Sequence, residues 1–217
     1  MLNSIKTKTF KTLILALILS STFSFAQTES LWDKASGWVQ ELNLSDETKE
    51  TTVTSLITSH LTAVRNWHNS HSFEEVPAGI NPRTGEKLSD LDRSIIADSA
   101  MPDSVHNDLM SGLNEHLAAE QVEFILDKYT VGKVDFTMKA YREIVPYLKS
   151  YEEAELIKNL KEAREMAIDF KSMKQISAIF EIYKTKNEQF LNNNGRDWHK
   201  MYKTYVNKMK AQKASNQ

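Results

Sequence analysis

The 217-residue sequence contains no cysteine. Disulfide bonds, thiolate nucleophiles and cysteine-based zinc or iron–sulfur sites are therefore excluded. Lipid attachment of the bacterial lipoprotein type is excluded for the same reason, because it requires a cysteine at the cleavage site. Stability must come from a hydrophobic core, and a chain of this size buries roughly 70% of its unfolded surface.

Long apolar runs and a strong charge of either sign are also missing. Beyond the first 26 residues no apolar run approaches the roughly 18 residues that indicate a membrane-spanning helix, so we expect no membrane anchor. The net charge of −2 offers no basic surface for nucleic acid. The sequence also lacks the G-x-S-x-G turn, the H-E-x-x-H pair and the glycine-rich phosphate loops.

The first 26 residues have the three parts of a secretory signal peptide. Three lysines make a basic start, the run 13–19 is apolar, and Ser24 and Ala26 are small residues of the kind that signal peptidase requires. We therefore expect a periplasmic or secreted protein that is cleaved near Ala26-Gln27. Removing 26 of 217 residues leaves 191, and losing three lysines changes the net charge from −2 to −5.

Glycine (6 residues) and proline (4 residues) are scarce, and three of the prolines fall in the segment 73–103. Over the rest of the chain, apolar residues recur at the spacing of three and four that is typical of amphipathic helices. We therefore predict an all-α fold, an irregular bundle of about six to eight helices with one long Pro/Gly-containing loop at 73–103. The length favours a single helical domain over 27–217.

Local signals place several helix ends and faces. Ser45 is predicted to cap the second helix, and a short helix is predicted to begin at Ser89. A strong helix is predicted over 150–170 with an inner stripe of five apolar residues: Leu156, Ile157, Leu160, Ala163 and Ala167. The tail 197–210 is predicted to be a basic amphipathic helix whose aromatic face docks on its own domain more readily than on a partner.

Three histidines share one face of the second predicted helix. His60, His68 and His71 recur at multiples of three and four residues, and such a spacing can supply part of a metal site if another helix adds a carboxylate. Histidines that flank a buried face, here marked by Val64 and Trp67, are the commoner outcome. We therefore expect no metal and no other cofactor, and we keep the three histidines only as weak candidates.

Two further features carry polar groups. Glu162, Glu165 and Asp169 lie along one flank of the helix over 150–170, and paired carboxylates can act on a glycosidic bond. A solvated flank with basic neighbours is commoner. The turn 129–132 can present the Thr130 hydroxyl to a ligand, although a structural turn in which Gly132 adopts a positive φ is favoured.

The same segments carry a family resemblance. Its most specific part is the Ala163-Arg164-Glu165-x-Ala167-x-Asp169 block, preceded by the Tyr129-Thr130-x-Gly132 turn. The pattern also includes 120–122, Tyr141, 146–148, 183–184, 190–191 and Gly195. Over about 30–205 the chain is similar to the domain-of-unknown-function family 3826. The resemblance implies a small exported protein of polysaccharide-digesting Gram-negative bacteria, encoded beside carbohydrate-active enzymes. It implies no catalytic residue, because no activity is established for the family.

The first functional hypothesis is an exported accessory or glycan-binding protein associated with polysaccharide degradation. Its partner would be an acidic oligosaccharide or polysaccharide, held on aromatic faces with Arg83, Arg93 or Arg164 pairing to uronate or sulfate groups. The ligand-binding candidates combine hydroxyls, carboxylates and a guanidinium: Arg83, Thr130, Glu165, Asp169 and Tyr183. The oligomeric state stays open.

The alternative is an enzyme, such as a lyase, dehydratase or hydrolase, that acts on an acidic oligosaccharide. His68 or Tyr141 would be the base, and Arg164 would neutralise the substrate carboxylate, so that these groups must converge on one pocket. A weaker alternative is a helical-bundle metal-binding protein that uses His60, His68 and His71.

Overall fold

The computed structural model describes residues 31–82 and 84–215 of the chain, so the predicted signal peptide and Arg83 lie outside the described residues. The fold is all-α, as predicted. The described residues contain nine α-helices, one more than the upper bound of the prediction. The helices are α1 (31–40), α2 (Glu47–Ser70), α3 (Asp90–Asp98), α4 (Asp103–His116), α5 (Ala119–Thr130), α6 (Lys133–Ile144), α7 (Ser150–Ala167), α8 (Met173–Asn193) and α9 (Trp198–Ser215).

The chain divides into two compact units. The first comprises the described residues up to Asn66 together with Pro102–Ala118, and the second comprises Trp67–Met101 together with the residues from Ala119 onward. The division falls inside α2. A single domain over 27–217 therefore stays a prediction.

The first unit buries apolar residues from α1, α2 and α4. Gly112 of α4 faces Leu56 so closely that an added Cβ would lie 2.6 Å from the leucine Cδ1, which explains why glycine occupies this position. The predicted cap of α2 was wrong by one residue. Asp46, not Ser45, caps the helix, since its Oδ1 accepts hydrogen bonds from the amides of Thr48 (2.9 Å) and Lys49 (3.1 Å). A carboxylate is favoured there because the helix N-terminus is positive.

The second unit is organised around the packing of α7 along α8. Helices α5 and α6 contact α7, α3 contacts α8, and α9 contacts both α6 and α8. Four members of the predicted stripe on α7 are buried, whereas Ile157 is only partly buried. A buried hydrogen bond of 2.8 Å from the Asn159 side-chain Nδ2 to the Asn187 side-chain Oδ1 fixes the two helices against each other.

The segment 73–103 is more structured than a long loop. It contains a 3₁₀ turn (Phe73–Glu75), an isolated β-bridge between Ile80 and Lys87, and α3, whose capping box at Ser89 confirms the predicted start. The Arg93 guanidinium donates hydrogen bonds to the Val76 carbonyl oxygen at 3.0 and 2.8 Å. Arg93 therefore stabilises this segment.

The aromatic tail docks on its own unit, as predicted. Trp198, Met201 and Tyr205 of α9 pack against the core, and the Tyr205 hydroxyl donates to Glu143 Oε2 at 2.9 Å. The helix is longer than the predicted 197–210. Among the described helices, none combines the length and apolarity needed to cross a bilayer.

Candidate functional site

A cavity of about 480 Å³ opens in the second unit where α6, α8 and α9 meet. Aromatic side chains line one side, and its rim carries ionisable groups from α8. The lining residues are Tyr141, Trp198, Tyr202 and Tyr205 on the aromatic side, Glu181, Lys184 and Glu188 on the rim, and Thr137, Ala140 and Ile144 of α6. We call this cavity the aromatic groove.

The spacing of residues on α9 explains the aromatic wall. Positions 198, 202 and 205 are four and three apart, so their side chains lie on one face of the helix. The turn before α9 fixes where this face begins, because Gly195 adopts a φ of +81° and Asn192 Oδ1 accepts a 3.0 Å hydrogen bond from the Trp198 amide. The local sequence therefore orients the aromatic side chains of α9 toward α6 and α8.

The rings form a continuous surface. The Trp198 and Tyr202 rings are stacked, with centroids 5.9 Å apart and planes at 24°, and the Tyr141 ring lies 5.4 Å from that of Trp198 at 51°. Tyr202 is half exposed, at 49%. A ring pair with one half-exposed member offers an apolar face to a ligand while its hydroxyl stays at the water boundary.

Carboxylates outnumber cations on the rim. Lys184 Nζ contacts both carboxylate oxygens of Glu181, at 2.9 and 3.1 Å, which leaves Glu188 as the second acid. Burial raises the pKa of Glu188, an effect that Lys184 opposes and Glu181 reinforces. The rim thus carries two carboxylates, which accept hydrogen bonds, and one lysine that pairs with one of them.

Tyr141, the candidate base of the enzyme hypothesis, serves as a hydrogen-bond donor in this structure. Burial, reinforced by the charge of Glu188, raises the pKa of Tyr141, so the phenol keeps its proton at neutral pH. The hydroxyl points inward and donates to the Lys184 carbonyl oxygen at 3.3 Å.

A second cavity of about 840 Å³ lies between α3 and α8 of the same unit. We call it the α3–α8 groove. Most of its wall is apolar, and Glu181 lines both this cavity and the aromatic groove. The two grooves therefore meet on α8.

His68 lies elsewhere, in contact with a buried carboxylate. Its Nδ1 lies 2.6 Å from Oδ2 of Asp98, which also accepts a hydrogen bond from the Gln175 side-chain amide. The Asp98 side chain is 4% exposed and that of His68 is 29% exposed. The other Asp98 oxygen, Oδ1, is buried without a hydrogen-bond partner. Sequence reasoning missed Asp98, because its thirty-residue separation from His68 gives no local signal.

Arg164 is a buried structural cation. Its guanidinium contacts Glu123 Oε2 at 2.6 Å and Asp127 Oδ1 at 2.8 Å, so it joins α7 to α5. Burial opposes its charge, but the hydrogen bonds to Asp127 and Glu123 outweigh that cost and raise the pKa of Arg164. With its Nη atoms committed to these partners, Arg164 does not present its charge to a substrate.

The three candidates of the enzyme hypothesis are not brought together. His68 contacts Asp98, Arg164 contacts α5, and Tyr141 contacts α8 and α9, with no shared partner among their hydrogen bonds. The metal candidates are equally separate in their contacts. His60 is buried in the first unit, whereas the His71 ring stacks on Trp67 at 3.7 Å. Within 31–82 and 84–215 no group of three or more His, Asp or Glu side chains is placed to hold a metal ion.

The remaining ligand-binding candidates have other surroundings. Thr130 is fully buried, and its hydroxyl donates to the Leu126 carbonyl oxygen at 3.5 Å. Asp169, together with the larger effect of burial, raises the pKa of Tyr129, so this carboxylate lies beside the turn. Tyr183 is partly buried against the core. Glu165 is exposed on α7, and Arg83 falls outside the described residues.

The acidic flank of α7 is engaged with basic residues. Glu162 Oε2 accepts a 2.8 Å hydrogen bond from Lys186 of α8, which lowers the pKa of Glu162 despite the opposing effect of burial. Lys161, like Arg164, pairs with Glu123 of α5, with the charged atoms 2.7 Å apart. The basic partners expected within α7 thus serve helix packing instead.

Fold and grooves together define an all-α protein with an aromatic, acceptor-rich cleft. The chain belongs to the family described as Protein of unknown function (DUF3826), which matches residues 28–211, and the resemblance expected from the motifs is thereby confirmed. The description of that family states no activity. No curated protein matches the chain.

Proposed function

We propose that the protein binds carbohydrate in the aromatic groove, as an exported accessory protein of polysaccharide degradation. The observation that carries the proposal is the stacked Trp198–Tyr202 pair, whose Tyr202 member is half exposed beside the carboxylates of α8. A sugar ring has an apolar face of C–H groups and an edge of hydroxyl donors. The first matches an aromatic ring, and the second matches carboxylate acceptors.

The groove favours a neutral glycan over the acidic one expected from the sequence. Among the described residues that line the groove, the one cation is Lys184, which already pairs with Glu181. Glu188 is then left to repel a uronate or sulfate. Two of the arginines named for anion recognition serve elsewhere, since Arg93 binds backbone carbonyl groups and Arg164 binds α5. A neutral chain needs no countercharge, and its hydroxyl groups can donate to carboxylate oxygens.

The setting of the proposal rests on the sequence. The signal-peptide pattern of residues 1–26 supports export to the periplasm or beyond, and the family resemblance supports a role in polysaccharide utilisation. Binding without turnover is consistent with the separation of His68, Arg164 and Tyr141.

Calorimetric titration of the protein with neutral and acidic plant and algal oligosaccharides tests the proposal. We expect neutral oligosaccharides to bind, and Tyr202→Ala to weaken that binding by about tenfold through loss of the stacked face. Tyr151→Ala is the matched control, since Tyr151 is 52% exposed against 49% for Tyr202 and does not line the groove. An absence of binding, or an equal loss in both variants, would overturn the proposal.

A second candidate function, catalysis, is favoured by the contact of His68 with Asp98. A buried carboxylate that holds Nδ1 fixes the imidazole orientation and leaves Nε2 to accept a proton. We expect a catalytic protein to release products from the same oligosaccharide panel and His68→Gln to stop this release, while His71→Gln retains it. If the unaltered protein yields no product from any member, catalysis on these substrates is ruled out.

A further inference from the structure

The two grooves of the second unit share a floor on α8. Five residues of that helix lie three or four apart and run without a break from the α3–α8 groove to the aromatic groove: Lys174, Ser177, Glu181, Lys184 and Glu188. This spacing places them on one helix face. The 14 steps from residue 174 to residue 188 correspond to about 21 Å along the helix axis.

We infer that the ligand is an extended neutral glycan chain that continues from the aromatic groove into the α3–α8 groove, where it places a methyl or acetyl substituent. The inference rests on the proposed function and adds to it the length and substitution of the ligand. Glu181 carries the continuity, because it lines both cavities and lies midway along the polar stripe of α8.

The lining of the α3–α8 groove identifies the substituent. Leu91 and Ile95 of α3 face Met173, Ala178 and Ile182 of α8 across the cavity. Met173 is 47% exposed and Ile182 is 51% exposed, so both keep apolar surface that the core does not cover. A glycan chain whose hydroxyls are all free leaves such surface unmatched, whereas an O-methyl or O-acetyl group buries it.

The polar groups of the same cavity are already paired within the protein. Asp92 Oδ2 accepts a 2.7 Å hydrogen bond from the Ser89 hydroxyl, and the Ser177 hydroxyl donates to the Met173 carbonyl oxygen at 2.7 Å. The uncovered apolar side chains are therefore the surface that this groove offers to a substituent. That the carrier of this substituent is a sugar chain rests on the proposed function.

The experiment compares oligosaccharides of one neutral backbone, short and long, with and without acetyl groups removed by mild alkali. We expect affinity to rise with chain length and to fall by about tenfold when the long chain is deacetylated. Ile182→Gln should remove this preference for the acetylated long chain and leave the shortest chains unaffected. Met166→Gln is the control, since Met166 is a half-exposed residue of α7 (47%) that lines neither groove.

The outcomes separate this inference from the proposed function. If short and long chains bind equally and Ile182→Gln has no effect, the extended site is wrong although the aromatic groove still binds sugar. If no chain binds, the proposed function itself fails. If Ile182→Gln changes only the oligomeric state measured by sedimentation, the α3–α8 groove is an interface between copies of the protein, and the inference is again overturned.

Discussion

At the scale of single residues, burial decides what the charged side chains of the second unit do. Arg164 and Glu152 are both inside the protein, and each contacts an oppositely charged group from another helix or turn. A charge removed from water is stable only when its partners replace the lost hydration. Their roles are therefore structural, and changes at these residues should alter stability.

Replacing Arg164 with methionine should destabilise the protein by about 2–3 kcal/mol, because two carboxylates then lose their partner in a partly desolvated site. The loss stays below the upper range for buried pairs, since Glu123 and Asp127 are 39% and 35% exposed and water can reach them. Urea unfolding measures the effect. Arg142→Met is the control: Arg142 pairs with Glu153 at the surface, and its loss should cost less than about 1 kcal/mol.

Glu152 predicts a pH dependence of stability. Hydrogen bonds from Arg196 hold the pKa of this carboxyl below its usual range, although burial opposes the shift. The ionised carboxylate therefore stabilises the protein above the unfolded-state pKa of about 4.3, and this contribution is lost as pH falls through the lowered pKa. Glu152→Gln should cost about 1–3 kcal/mol at pH 7.

Urea midpoints of the unaltered protein and of Glu152→Gln, measured from pH 7 to pH 3, test that dependence. The difference between the two proteins should narrow as the pH falls, because the native carboxyl is then also uncharged. A constant difference over the whole range would show that the ion pair with Arg196 does not contribute to stability through its charge.

At the scale of the elements, the junction between α5 and α6 depends on left-handed backbone. Gly132 adopts a φ of +63°, as predicted, and the exposed Val131 before it has a φ of +55°. The valine was not predicted, because a β-branched residue rarely adopts this conformation. The left-handed residue ends α5, since the Gly132 amide donates to the Asp127 carbonyl oxygen at 2.9 Å, and it carries a local energetic cost.

Gly132→Ala should therefore destabilise the protein by about 1 kcal/mol, since a Cβ at positive φ is strained even where space is open. Gly37→Ala should instead stabilise the protein by about 0.5–1 kcal/mol. Gly37 lies within the helix α1, and a Cβ added there meets no described atom within 4 Å. Thermal unfolding of both variants checks the pair. If both variants shift the unfolding temperature in the same direction, backbone conformation does not explain the effect of these substitutions.

The helix α9 shows how far an element can be predicted. Aromatic residues at helical spacing predicted both the helix and its docking on the same unit. The spacing did not predict the aromatic groove. Whether a ring such as Tyr202 stays half exposed after docking depends on how far α6 and α8 cover it, and these helices are distant from α9 in sequence.

At the scale of the whole molecule, the pattern of residues 1–26 predicts that the protein is exported. We expect the chain, expressed from Met1 in a Gram-negative host, to appear in the periplasmic or extracellular fraction with Gln27 as its first residue. Mass spectrometry of that fraction measures the cleavage. Replacing Leu15 and Leu17 with glutamate should retain the chain in the cytoplasm, because the apolar run no longer functions. Recovery of an uncleaved exported chain would contradict the assignment.

The sequence by itself determined the helical class, the starts of helices such as α3 and α7, and the family. These follow from local causes: the 3.6-residue period of apolar side chains, the rarity of glycine and proline, and caps such as Ser89. The cap at Asp46 instead of Ser45 shows that local patterns locate a helix end only to within a residue, since adjacent polar residues offer similar hydrogen bonds to the same helix end.

Only the tertiary structure decided which of the chemically suggestive residues are available to a ligand. Arg164 and Thr130 are buried, and His68 contacts Asp98, thirty residues away in sequence. Residues of α8 line both grooves. Availability is a property of long-range packing, because a polar side chain is free only if no distant segment satisfies it first. A local sequence pattern does not indicate which distant segment pairs with a given side chain.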